Sequence, residues 1–181
     1  MAEPVQWVMD TSAYTHLCRA GYANIIAQLA PGGVVLIPRQ VDLEIARGSD
    51  KYPSIPSASS VEWAQTVVLD DDDELAAMFI KARLGGGVDE HIGECAVIAY
   101  AQRRGLVAVL DDRAAVEQAD RLGVESIGTM WIVVEAYKAL WDRDANAMVA
   151  AVDALLDTDM RLPLRDGQEV FAWAYKEDLL P

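Results

Sequence analysis

Five short apolar runs alternate with segments whose apolar residues recur at helical spacing, and that alternation predicts an α/β fold. Residues 5–9, 34–37, 66–69, 107–110 and 124–127 read as strands. Residues 11–30, 38–47, 72–84, 89–104, 113–122, 130–142 and 145–156 read as helices, the first open to a break at Gly21, with a final helix over 168–179. Pro38 suits a first helical turn, and Gly85-Gly86-Gly87 suits a helix end. Residues 48–60 hold two prolines and five serines and predict an irregular loop. Strands separated by helices imply a parallel sheet with right-handed crossovers, covered by helices as an α/β/α sandwich. The pattern leaves the strand order open.

Composition narrows the picture. A chain of 181 residues, 52% hydrophobic, can bury one substantial core. It contains no apolar run of membrane-spanning length, and Met1-Ala2-Glu3-Pro4 lacks the basic start of a signal peptide, so a cytoplasmic protein with no membrane partner is expected. Cys18 and Cys95 lie far apart without metal-type spacing, as reduced buried thiols do. The net charge of −14 argues against an indiscriminate coat of DNA or RNA, because phosphate affinity comes from Lys and Arg. It does not exclude an enzyme whose bound metal supplies local positive charge. The run Asp70-Asp71-Asp72-Asp73-Glu74 reads as a solvated turn that caps the next helix.

The placement of other acids is more informative. Asp10 ends the first strand, Glu44 lies in the helix after the second, Glu94 follows Gly93 in an Ala-, Val- and Ile-rich helix, and Asp111-Asp112 ends the fourth strand. Each has a simple structural reading alone: an N-cap for Asp10, a surface position for Glu44, a cap for one of the Asp111-Asp112 pair. Together they predict several carboxylates at the C-terminal rim of the sheet, where open α/β folds bind ligands. Carboxylates gathered there repel one another unless a cation lies between them. Gly93, inside a helix at a cost of about 1 kcal/mol relative to Ala, predicts a close backbone approach.

Four segments, Val8-Met9-Asp10-Thr11-Ser12, Pro38 to Glu44, His91-Ile92-Gly93-Glu94-Cys95-Ala96 and Leu110-Asp111-Asp112-Arg113, resemble in order the motifs of PIN-domain ribonucleases. Ile127-Gly128-Thr129-Met130 resembles that family's turn after the last strand. The likeness spans about residues 5–140 and is strongest to a prokaryotic PIN-like branch related to the VapC-like toxins of toxin–antitoxin pairs.

The resemblance implies a PIN-like, Rossmann-like nuclease domain over residues 1–142 and a C-terminal helical extension over 143–181, packed on that domain or on a partner. It implies a metal-dependent endoribonuclease using Mg²⁺ or Mn²⁺ and leaving a 5′-phosphate and a 3′-hydroxyl, with weakened or lost catalysis on an RNA-binding scaffold as the alternative. Asp10, Glu44, Glu94 and Asp112 match its acidic catalytic positions, with Asp10, Glu94, Asp112 and Asp111 as metal ligands. Thr11, Ser12 and Thr129 match orienting positions, and Arg39 and Arg113 are candidate phosphate contacts. Ala96 stands where the branch has a second glutamate. RNA as substrate, an antitoxin protein and a second copy of the chain are the expected partners; the Trp-bearing C-terminal segment is the candidate face for a protein contact. A phospho-receiver domain is disfavoured, because no lysine follows Ile127 until Lys138.

Overall fold

The computed structural model describes residues 5–181; residues 1–4, which entered the signal-peptide argument above, lie outside the described residues. Five parallel strands form one sheet: β1 (Trp7–Met9), β2 (Val35–Pro38), β3 (Ala64–Val67), β4 (Val107–Val109) and β5 (Ser126–Ile127). Their order is β3-β2-β1-β4-β5, with Val8 opposite both Leu36 and Ala108. The chain winds from the centre to one edge, then returns to β4 and winds to the other. The order therefore reverses between β1 and β4, the crevice where doubly wound sheets hold their ligands. β1, β2 and β4 are buried along their whole length, as strands covered on both faces must be.

The helices are α1 (Thr11–Arg19), α2 (Asn24–Leu29), α3 (Arg39–Arg47), α4 (Asp71–Leu84), α5 (Ile92–Arg104), α6 (Arg113–Arg121), α7 (Thr129–Ala139), α8 (Ala145–Leu156) and α9 (Val170–Lys176). α5 lies against β1, β2 and β4, and α4 packs chiefly on α5. α7 packs on α2 and α8, and α8 also reaches α1. Met148, Ala151, Val152 and Leu155 of α8 are fully buried in the same core as the strands.

Most departures from the sequence reading have local causes. Gly21, at φ +79°, divides the first predicted helix into α1 and α2. β3 covers 64–67 rather than 66–69, because it pairs with β2 only as far as Pro38 opposite Val67. α5 starts at Ile92 rather than 89, since His91 adopts φ +59° and cannot continue a right-handed helix. The predicted tail helix is a 3-10 turn over Gly167–Glu169 followed by α9. The acidic run is a capping box: Asp73 N–H donates to Asp70 at 2.8 Å and Asp70 N–H to Asp73 at 3.1 Å. Asp73 also receives Arg103 Nε at 2.7 Å and Arg104 Nη1 at 2.8 Å, so those arginines tie α5 to α4.

Two of the C-terminal tryptophans pack on aromatic rings from the start of the chain. Trp7 packs edge-on against Trp131 with ring centroids 5.9 Å apart, and Trp141 packs likewise on Tyr22. Trp131, Trp141 and Trp173 are partly buried against the protein's own core.

Candidate functional site

The C-terminal ends of β1 and β4 deliver two carboxylates to one point. Asp10 follows β1 directly, and its N–H donates to Val109 O at 3.1 Å, locking the two strand ends together. Its Oδ1 accepts the Ala13 N–H at 2.8 Å and so caps α1. The side chain is only 1% exposed, and Oδ2 is buried with no hydrogen-bond partner. Burial, then the negative charges of Asp111 and Glu94, hold this carboxyl well above its ordinary value of 3.8, against the opposing pull of the Ala13 N–H. The Asp111 N–H favours the anion electrostatically without forming a hydrogen bond to Oδ2.

The structure separates Asp111 from Asp112. Asp111 turns inward, accepting Thr129 N–H at 2.8 Å on Oδ1 and Thr129 Oγ1–H at 2.7 Å on Oδ2. Burial raises its pKa, opposed by those two bonds. Asp112 instead caps α6, accepting the Ala115 N–H at 2.9 Å. Asp111 is therefore the carboxylate whose charge bears on Asp10, and Asp112, which the sequence could not separate from it, spends one oxygen on the helix.

Glu44 is fixed from two sides. It accepts a hydrogen bond from Thr11 Oγ1 and one from Gly93 N–H at 2.9 Å. A Cβ on Gly93 would stand 2.6 Å from Glu44 Oε2, so only glycine lets the carboxylate dock on the start of α5. Burial raises the Glu44 pKa against those two donors. One helical position on, Glu94 is 22% exposed in its side chain and lies 3.5 Å from His91 Nδ1.

These elements border a cleft of about 560 Å³, lined by Ser12, His16, Glu94, Asp111, Asp112, Arg113, Asp159, Met160 and Arg161. Among the residues singled out from sequence, Ser12, Glu94, Asp111, Asp112 and Arg113 line it; Asp10, Thr11, Glu44 and Thr129 lie behind the wall and position it. Arg39 does not join them: it is exposed on the first turn of α3, away from the cleft lining. Arg113 reaches the cleft but pairs its Nε with Glu117 at 2.9 Å. Ala96 lines a groove beside α4 rather than the cleft, so the glutamate absent there subtracts nothing from this lining.

Sequence reasoning missed the wall supplied by Asp159-Met160-Arg161, which follows α8 and arrives from the C-terminal extension. No local pattern announces it. Sequence reasoning also passed over His16, although it stands four residues after Ser12 and hence on the same helical face. Its Nδ1 lies 2.6 Å from Thr158 Oγ1, joining α1 to that wall. Burial, then Arg19, lowers its pKa, against the pull of Asp159.

Among the described residues, no three His, Cys, Asp or Glu side chains are grouped closely enough to hold an ion unaided. The chemistry of the donors nonetheless suits a hard divalent cation: oxygen ligands, mutual repulsion, and one buried oxygen without a partner. Mg²⁺ keeps several waters and is commonly bound through one or two carboxylates.

A doubly wound parallel sheet with carboxylates at its switch point defines the class of open α/β proteins that bind their ligands at that crevice. Within it, a family model described as PIN domain matches residues 6–172, and the chain belongs to that family, whose members are generally nucleases. The match extends through α8 and into α9. No curated protein matches the chain.

Proposed function

We propose that this chain is a Mg²⁺- or Mn²⁺-dependent endoribonuclease acting at the cleft between β1 and β4. The observation that carries the reading is Asp10 Oδ2, buried and unpartnered beside the charges of Asp111 and Glu94. Asp10, Asp111 and Glu94 would hold the ion, with Asp112 alongside. When bound, it supplies a low-pKa water and polarises the phosphodiester.

The protein's own groups do the positioning. Thr129 fixes the orientation of Asp111 through two hydrogen bonds. Glu44, held by Thr11, pins the N-terminus of α5 and with it the backbone that carries Glu94. Arg113 and Arg161 give the cleft two cations for the RNA phosphates, and Arg161 has no ion-pair partner among the described residues. Ser12 and His16 line the wall from which a hydroxyl and an imidazole face the substrate. The two free cysteines accord with a reducing cytoplasm, where a toxin paired with an antitoxin would work.

Cleavage of a fluorescent RNA oligonucleotide with Mn²⁺ tests the reading. Asp111→Asn is expected to lose more than the ~10–100-fold that removal of an outer-shell partner costs, while the wild type loses all activity in chelator. Equal cutting by wild type and variant would place the chemistry elsewhere. A second reading, an RNA-binding scaffold without catalysis, is favoured by the lack of a preassembled three-carboxylate group among the described residues. RNA binding without cleavage in any divalent metal would select it.

A further inference from the structure

We propose that His16 is a specificity-determining residue of the cleft: its Nε2 accepts a hydrogen bond from a 2′-hydroxyl of the bound strand and so separates RNA from DNA. The proposal rests on the reading of this cleft as an RNA site. His16 lies further along α1 than Asp10, by about 9 Å at 1.5 Å per residue. It therefore stands beyond the carboxylates rather than among them, on the wall it shares with Ser12 and Arg161. Nothing in the metal chemistry uses it.

The hydrogen bonds around the ring fix where its proton sits. Thr158 Oγ1 lies 2.6 Å from Leu155 O and 2.6 Å from His16 Nδ1. A carbonyl only accepts, and two oxygens that close repel unless a proton lies between them, so the Thr158 hydroxyl donates to Leu155 O. Its oxygen is left to accept, and His16 Nδ1 must carry the proton it accepts. A neutral imidazole holds one ring proton, so Nε2 presents a lone pair. The ring is neutral at pH 7, since burial and then Arg19 lower its pKa against the pull of Asp159. Thr158 is itself buried just past the end of α8, so the C-terminal extension sets the tautomer. Nε2 has no hydrogen bond among the described residues, and it is not a buried orphan like Asp10 Oδ2. It is an acceptor open to the cleft. Such an atom repels phosphate oxygens, which carry no proton, and takes an O–H or N–H donor. Arg113 and Arg161 draw the strand's backbone to the same wall, and the donor that an RNA backbone carries and a DNA backbone lacks is the 2′-hydroxyl.

Nitrogen chemical shifts of the imidazole test the tautomer without RNA; the chain has two histidines, so a His91→Gln control assigns the signals. Nδ1 protonated and Nε2 bare is the expected result at neutral pH, and the opposite tautomer overturns the proposal. Fluorescence anisotropy in Ca²⁺ then compares an RNA oligonucleotide with the same sequence carrying 2′-fluorine, which keeps the sugar pucker but cannot donate. Wild type is expected to bind the 2′-hydroxyl form about 3–10-fold tighter, the worth of one hydrogen bond. In His16→Asn, whose shorter amide can still donate to Thr158 but does not extend to the place of Nε2, the ratio should fall to about one. His16→Gln, which carries a carboxamide oxygen that far, should keep part of it. If His16→Asn does not fold, Thr158→Val reads the same contact, because it removes the group that pins the proton on Nδ1, and the ratio should fall there too. A wild type that binds no RNA, or is indifferent to the 2′ substituent, overturns the proposal. So does a His16→Asn variant that keeps the full ratio, whatever its absolute affinity. A wild type that shows the ratio, and its loss in His16→Asn, yet cuts nothing in Mn²⁺ supports the proposal while refuting the nuclease reading.

Discussion

Replacing Asp10 by asparagine is expected to stabilise the metal-free protein, the opposite of what loss of a buried charged side chain usually does. Asparagine is as good an N-cap as aspartate, so the 2.8 Å bond from Ala13 N–H survives. What disappears is the negative charge on a group that is 1% exposed, faces two other acids, and leaves Oδ2 without a donor. Asparagine puts a neutral amide beside Asp111 and Glu94 in place of the charged oxygen, so the burial and repulsion of that charge are relieved, worth about 1–3 kcal/mol. For a chain of this length each kcal/mol moves Tm by ~2–4 °C, so the variant should melt ~2–12 °C higher in chelator at pH 7. The pH dependence has a definite sign. A carboxyl with a raised folded-state pKa keeps its proton longer in the native state, so its ionisation costs stability as pH rises above the unfolded value near 3.8. The gap between variant and wild type should therefore vanish below about pH 4, widen as pH rises, and level off above the folded-state pKa. Saturating Mn²⁺ should reverse the ranking: binding at 100 times Kd adds ~2.7 kcal/mol to the wild type, and little to the variant. Differential scanning calorimetry with chelator and with Mn²⁺, from pH 4 to pH 8, measures all three effects. If Asp10→Asn melts lower than wild type in chelator at pH 7, the carboxylate is a satisfied structural group and the metal argument built on it fails.

Two further outcomes follow from the positioning groups. Gly93→Ala should push the Glu44 carboxylate off the start of α5, since the new Cβ would lie 2.6 Å from Oε2. Because glycine-to-alanine gains ~1 kcal/mol of helix propensity, Tm should change little while cleavage falls; unchanged cleavage would show that Glu44 does not position the site. Arg161→Ala should weaken RNA binding and flatten its salt dependence: two phosphate contacts give a slope of log K against log salt of roughly −1.4 for single strands, and one gives roughly −0.7. A wild-type slope several times steeper, measured by fluorescence anisotropy, would place the RNA on a surface other than this cleft.

The sheet was legible because strands buried on both faces are written as unbroken apolar runs, as in Val107-Ala108-Val109. The carboxylates at strand ends were legible because the position of Asp10 and Asp111 follows from chain order alone. Strand order was not, since it depends on which crossover packs where, and that is a long-range matter. The choice between Asp111 and Asp112 hung on Thr129, 18 residues away, whose N–H and hydroxyl both reach Asp111. The wall at Asp159-Met160-Arg161 was invisible for the same reason: α8 buries Met148, Ala151, Val152 and Leu155 in the common core, and that packing carries the next segment to the cleft. The intramolecular partners of Trp131 and Trp141 could not be read from the sequence, since Trp7 and Tyr22 lie more than 100 residues upstream.

The carboxylates at the cleft are held together against their own repulsion by separate parts of the chain. Asp10 is tied to α1 and to β4, Asp111 to the first residue of α7, Asp112 to α6, and Glu44 to the starts of α1 and α5. Each group that donates to one of these carboxylates is a backbone N–H or a hydroxyl, and none is a lysine or arginine. An arginine would have neutralised the cluster and stabilised the fold, as Arg103 and Arg104 do for Asp73 on α4. The same chain thus handles buried acid in two ways: it neutralises Asp73 with its own cations, and it leaves Asp10 charged or protonated with an oxygen to spare. The first arrangement serves structure alone. The second lowers stability and leaves room for a cation from outside, which is the trade that sites of function commonly make.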